Sequence, residues 1–254
     1  MTFLDSIILG VIQGITEFLP ISSSGHLVVA QSMMGISQPG ILFEVSVHLG
    51  TLLSILVIFF RDVQKLVVTL LEKSTQKYVG YLLIGTIPIV VVGMTMKESV
   101  EKAFENPHFV GYSFLFTGLV LLATKFAKPS YSKFSGWKSI IVGFFQAIAL
   151  LPGVSRSGMT ISSGLLLKIH AKEAAKFSFI LAIPALIGSG VFMIRDFISL
   201  SSSGESTWIL FTGFATSFVV GILALKLLLS LLMKGKFHWF GIYCLLMGFL
   251  TLRM

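Results

Sequence analysis

Gln13 and Glu17 stand four residues apart, on one face of a helix, and Pro20, Ser22, Ser23, Ser24, Gly25 and His26 follow in close order. Further along, Pro152 and Gly153 precede Ser155, Arg156, Ser157, Gly158 and Thr160. Proline stops a helix and serine caps the next one. Each cluster therefore ends in a helix N-terminus, whose unpaired N–H groups and positive dipole end favour an anion. Arg156 adds a planar guanidinium that binds phosphate oxygens through paired hydrogen bonds. The chemistry indicated is that of phosphate. His26, close to serine hydroxyls, supplies either a nucleophile or a base that activates Ser23 or water. A carboxylate beside phosphate repels it unless Glu17 is protonated, pairs with Arg156, or shares a divalent cation with the substrate. Oxygen ligands and phosphates suit Mg²⁺ or Ca²⁺.

These groups must be held inside a bilayer. With 55% hydrophobic and 12% charged residues among 254, and a mean hydropathy of +0.93, the chain lacks the polar residues of a soluble surface, where about a quarter are charged. Soluble enzymes, disordered tails and nucleic-acid modules are excluded, so the net charge of +8 is read as membrane topology rather than as affinity for nucleic acid. The lone Cys244 permits no internal disulfide and no thiolate metal site. Asp5 stands where a secretory signal would carry Lys or Arg, and no cleavage is expected.

Six segments read as apolar spans, at 45–60, 78–96, 109–124, 177–194, 208–233 and 237–252. Regions 3–34 and 138–168 are interrupted at the two polar clusters and read as re-entrant pairs of half-helices, tolerable at depth where the broken backbone is buried in protein or lines a wet cavity. The chain also resembles itself. GVIQGITEFLPISSSGH from Gly10 matches GFFQAIALLPGVSRSGM from Gly143, with Gln13 over Gln146 and Gly25 over Gly158. The match continues through Phe43 over Phe177 and Gly85 over Gly213. The expected architecture is an all-α polytopic membrane protein in one domain. It has an inverted-topology repeat, about 1–126 and 133–254, of six transmembrane helices plus two re-entrant half-helix pairs. On that plan Lys97, Lys102, Arg195 and Arg253 share the side of the termini. Arg61 to Lys77, Lys125 to Lys138, Lys168 to Lys176, Lys234 and Lys236 lie opposite. The richer side is cytoplasmic, which puts both termini and the mouth of the first break outside.

Other polar residues have plainer readings. Gln13 and Gln146 are equally well read as hydrogen-bond glue between helices; Glu44 and His48, four apart, either help line the pocket or lie near the membrane interface, the second being the preferred reading. His108, His170 and His238 read as solvated, Lys226 as snorkelling, and Trp137, Trp208 and Trp239 as interfacial anchors.

QGITEFLPISSSGH, Gln13 to His26, and LPGVSRSGMT, Leu151 to Thr160, resemble the two motifs of the bacitracin-resistance type of integral-membrane undecaprenyl-pyrophosphate phosphatases, and the resemblance covers essentially the whole chain. It implies hydrolysis of undecaprenyl pyrophosphate to the monophosphate and inorganic phosphate at the outer face of the bacterial cytoplasmic membrane, which recycles the carrier for cell-wall synthesis. By position, Glu17 would be the metal-linked or proton-handling acid, Ser23 and His26 the catalytic pair, and Arg156 the catalytic phosphate grip. Ser22, Ser24, Ser155, Ser157 and Thr160 would line the phosphate. Gln13 stands where many members carry a second Glu, a further metal ligand. The implied partners are the polyprenyl pyrophosphate, the bilayer and a second copy of the chain as a homodimer. A polyprenyl-phosphate transporter or flippase is the alternative, suggested by the inverted repeat.

Overall fold

A computed structural model describes residues 1–36, 41–104, 106–127, 132–199 and 206–253, with backbone alone at 41, 107 and 189–199. Lys128 lies outside the described residues, as does the side chain of Arg195, so two charges of the topology count are not placed. The regular secondary structure of the described residues is helical, with one isolated bridge between Ser132 and Ile169.

The chain runs α1 (Phe3–Phe18), α2 (Ser23–Met33), α3 (Ile41–Ile58), α4 (Phe60–Val68), α5 (Lys73–Thr95) and α6 (Lys97–Phe104). It continues with α7 (Pro107–Ala123), α8 (Gly136–Ile148), α9 (Arg156–Leu166), α10 (Ala171–Ser199), α11 (Thr207–Met233) and α12 (Trp239–Thr251). Helix starts follow the sequence locally. Thr2 and Asp5 form a reciprocal capping box on α1. Asn106 caps α7 with Pro107 just inside it.

The expectation of six spans is corrected. Among the described residues three helices are long and apolar enough to cross a membrane, Lys73–Thr95, His108–Phe126 and Thr207–Met233. They become four if α3 and α4, bent by 73° at their junction, are one broken span. Helix α12 has 13 residues, about 20 Å at 1.5 Å per residue, too short for a hydrocarbon core of about 30 Å. Helix α10 is not among these three, its side chains being described only as far as 188, where the apolar stretch still follows Lys172, Glu173 and Lys176. Hydropathy measures how apolar a stretch is and not how long a helix it forms: α12 keeps Leu246, Phe249 and Leu250 exposed and is still short. With three spans per half gone, the odd-number argument for an inverted repeat goes too.

Helix α11 lies between α1 and α3, α12 packs on α7, α5 on α8, and α10 against α3, α9 and α5. Small residues permit these close crossings. Serine hydroxyls reach carbonyls on the facing helix: Ser6 to Ile209 O at 2.7 Å, Ser46 to Leu210 O at 2.7 Å, Ser54 to Phe218 O at 2.8 Å and Ser217 to Val47 O at 2.9 Å. A Cβ on Gly50 would meet Ser217 Oγ at 2.2 Å and Phe214 O at 2.4 Å. Gly50→Ala should therefore push α3 off α11 and destabilise the protein by about 1–3 kcal/mol, read as a lower unfolding midpoint in detergent. An unchanged midpoint would mean the α3–α11 contact is looser than described.

The main core joins Phe18, Leu19, Ile21, Ile55, Phe59, Leu121, Ile161, Phe179, Leu225, Leu228 and Cys244. It draws on both chain halves and sits against the two helix breaks.

Candidate functional site

Each polar cluster falls between two helices: the first between α1 and α2, the second between α8 and α9. The local logic is the same in both. Ser22 caps α2, its hydroxyl accepting from Gly25 N at 3.3 Å, and Ser155 caps α9, accepting from Gly158 N at 3.1 Å. Each cap also lies 3.3 Å from the hydroxyl two residues on, Ser24 or Ser157. Each break contains one left-handed residue, Ser22 at φ 68° and Gly153 at φ 88°. Glycine suits the second twice over, since a Cβ there would also meet Val110 O at 2.5 Å. The breaks are pinned by neighbouring spans. Thr117 Oγ1 donates to Gly153 O at 3.1 Å and accepts from Ser155 N at 3.3 Å. Cys244 Sγ donates to Pro20 O at 3.5 Å.

The two breaks meet face to face. Ser157 Oγ donates to Leu19 O at 3.4 Å, and a Cβ on Gly158 would lie 3.3 Å from Pro20 Cβ. Across this contact the Arg156 guanidinium pairs with the Glu17 carboxylate through Nη2 and Oε1. Glu17 is 7% exposed, and a buried carboxylate persists only when it is paired and hydrogen-bonded. Its second oxygen accepts from Ser23 Oγ at 2.7 Å and Gln13 Nε2 at 3.1 Å, with His48 Nδ1 at 3.8 Å. Of the ways in which Glu17 could sit in an anion site, the ion pair with Arg156 is the one seen here.

Gln13 Nε2 also lies 3.0 Å from His48 Nδ1. Because the amide nitrogen must donate to Glu17, it donates to His48 as well, and Nδ1 of His48 is then an acceptor. His48 is thus part of the site rather than an interfacial residue. Only the packing of α3 against α1 brings it there.

His26 is oriented at both nitrogens. Nδ1 lies 2.7 Å from Ser22 O, and a carbonyl only accepts, so Nδ1 carries the proton. Nε2 lies 2.7 Å from the Tyr243 hydroxyl. The ring stacks on Tyr243 with centroids 5.7 Å apart and meets Phe114 edge-on at 5.2 Å. Ser23 and His26 are therefore not hydrogen-bonded to each other: Ser23 serves Glu17, and His26 answers to Tyr243. Thr160 is turned away from the breaks, donating to Arg156 O at 2.8 Å and meeting Ser178 on α10. Tyr243, Thr117 and Phe114 carried no signal in the sequence, because each lies in an ordinary apolar helix and gains its role from what it touches.

Two buried polar atoms here have no protein partner, Gln13 Oε1 and Arg156 Nη1. An unpaired guanidinium N–H beside two helix N-termini suits a phosphate oxygen. An unpaired amide oxygen beside Glu17 suits a hard cation, although no cluster of three or more His, Cys, Asp or Glu is present among the described residues. Such a donor set fits a cation that takes most of its ligands from water and substrate phosphates, as Mg²⁺ commonly does. Gln146, the counterpart of Gln13, leaves both amide atoms buried and unpartnered, so the glue reading does not describe it.

Comparison with known proteins places this geometry in a family. The model of the bacitracin resistance protein BacA family matches residues 6–250. An undecaprenyl-diphosphatase of Rhodopirellula baltica is 40% identical over 252 residues, covering 98% of this chain and 96% of its own. Another from Christiangramia forsetii is 39% identical, over 98% and 96% of the two chains. One from Korarchaeum cryptofilum is 37% identical over 100% of both. With the paired breaks, the Arg156–Glu17 contact and this full-length similarity together, the chain belongs to the BacA bacitracin resistance protein family.

Proposed function

We propose that the protein hydrolyses undecaprenyl pyrophosphate to undecaprenyl phosphate and inorganic phosphate, at a site opening to the outer face of the bacterial cytoplasmic membrane, with both termini outside. The observation that carries this reading is the buried Arg156–Glu17 pair between two helix N-termini, with one guanidinium N–H still unpaired. The undecaprenyl-diphosphatases to which the chain is similar along its whole length support the substrate class.

In this reading the terminal phosphate sits against the N-termini of α2 and α9, near the hydroxyls of Ser22, Ser24, Ser155 and Ser157, and takes up the free Nη1 of Arg156. Thr160 acts from behind, bonded to the carbonyl of Arg156. Gln13 Oε1 and Glu17 would hold a divalent cation, Mg²⁺ or Ca²⁺, together with substrate oxygens. When bound it would offset the negative charge of the pyrophosphate. Glu17 accepts a hydrogen bond from the Ser23 hydroxyl and holds Arg156 in place.

His26 is the attacking group. Its proton is fixed on Nδ1 by Ser22 O, which leaves the lone pair on Nε2. Attack of Nε2 on the terminal phosphorus breaks the bond to the bridging oxygen, and polyprenyl phosphate leaves. Water then cleaves the phosphorus–nitrogen bond, which frees inorganic phosphate and restores the imidazole.

Purified protein should release phosphate from undecaprenyl pyrophosphate and, in a rapid quench, give a phosphoenzyme that is labile to acid. Turnover without any phosphoenzyme would make His26 the base toward water. Lipid crossing liposomes without phosphate release would favour the transporter reading.

Arg156→Lys should lower kcat/KM by about a hundredfold or more, because a point-like ammonium cannot pair with Glu17 and grip phosphate at once as a planar fork does. Near-normal turnover in a well-folded Lys variant would remove Arg156 from the phosphate site.

A further inference from the structure

Tyr243 has two neighbours of different character. Its hydroxyl occupies His26 Nε2 at 2.7 Å, the nitrogen that must be free for attack. Its ring borders a cavity of about 710 Å³ between the first break and the α11–α12 turn. Ile15, Leu19 and Ile21 form one wall, Leu231, Trp239 and Phe240 the other, with Lys236 the single charged member. Leu19 and Ile21 flank Pro20, so the cavity wall is the same stretch of chain that carries Glu17 and Ser22.

We propose that this cavity takes the part of the isoprenoid chain nearest the pyrophosphate, and that Tyr243 is a positioning residue through which the chain acts on His26. The inference rests on the phosphatase reading above. An apolar slot continuous with the break suits a hydrocarbon joined to the phosphate held there, since burying apolar area is favourable in proportion to the area buried. A chain entering the slot meets the Tyr243 ring and moves its hydroxyl off Nε2. Binding energy from the unreactive tail is thereby turned into a faster chemical step. Without a chain the slot stays empty, the hydroxyl stays on Nε2, and attack has to break that hydrogen bond first.

The test compares undecaprenyl pyrophosphate with methyl pyrophosphate, the short substrate, which has no isoprenoid chain to enter the slot, in wild type and Tyr243→Phe, by steady-state and single-turnover hydrolysis. Wild type should show a kcat at least about tenfold higher on the long chain. Tyr243→Phe keeps the stacked ring and removes the hydroxyl, so the long-to-short ratio of kcat should fall by about tenfold, the worth of one hydrogen bond. This fall should come chiefly from a faster reaction of the short substrate. Leu231→Trp, which fills the slot, should raise the long-to-short ratio of KM by about tenfold. A residue that merely packs His26 would slow both substrates alike. An unchanged kcat ratio in Tyr243→Phe, or equal wild-type kcat on the two substrates, overturns the proposal. Failure of wild type to release phosphate from either substrate overturns the phosphatase reading, and the proposal with it.

Discussion

His26→Ala should bind undecaprenyl pyrophosphate about as tightly as the wild type and hydrolyse it at least about a thousandfold more slowly, because removing a nucleophile abolishes the step it performs while the anion site persists. On the proposed reading the two helix N-termini and Arg156 hold the phosphate, and none of them depends on the imidazole. The caps of α2 and α9 are made by Ser22 and Ser155, and Arg156 is held by Glu17. The control is His26→Asn, whose amide can still donate to Ser22 O but has no basic nitrogen in the place of Nε2. If His26 only fills space against Phe114 and Tyr243, the Asn variant should turn over within a few fold of wild type and unfold earlier. Single-turnover rates and equilibrium binding on both variants decide between these, and an active, properly folded His26→Ala protein would falsify the nucleophile assignment.

Glu17→Gln should depress activity by about a thousandfold or more at every pH, since a group that orients others in the reacting set shares their non-additive cost. Three donors converge on the carboxylate, from Ser23, Gln13 and Arg156. An amide can accept at its oxygen, but its NH₂ meets a donor head-on. The change also strands the Arg156 charge in a buried place, a loss of about 3–5 kcal/mol when one partner of a buried pair is removed. Thermal unfolding must therefore be measured beside activity, and ligand-stabilised protein compared with free. Gln13→Ala should cost less, because it removes one of those donors and leaves the ion pair intact. Gln13→Glu should raise the affinity for Mg²⁺ or Ca²⁺ by adding a charged oxygen ligand. Equal losses from Gln13→Ala and Glu17→Gln would deny Glu17 a role of its own.

Much of this site was legible in the sequence because its signals are local. Proline, serine caps and glycine dictate where a helix stops and the next begins within a few residues, and both breaks fall at Pro20 and Pro152 with the caps at Ser22 and Ser155. The expense of burying Glu17 and Arg156 in an apolar chain also marks them without any coordinates. The number of spans was not legible. Hydropathy does not reveal how many residues of an apolar stretch the helix itself takes up, as the 13-residue α12 shows.

Nor could spacing reveal partners brought from elsewhere in the chain. His48 reaches Glu17 because α3 packs beside α1, and Tyr243 reaches His26 across 217 positions because α12 packs on α7 beside the first break. For the same reason the hydroxyl nearest His26 in sequence, that of Ser23, is committed to Glu17 instead. The sequence by itself determined which residues are candidates for the chemistry and where the helices break, since those follow from side-chain type and short-range capping. The tertiary structure alone decided which group bonds to which, because a hydrogen bond needs its donor and acceptor within about 3 Å, and that proximity is set by how whole helices pack.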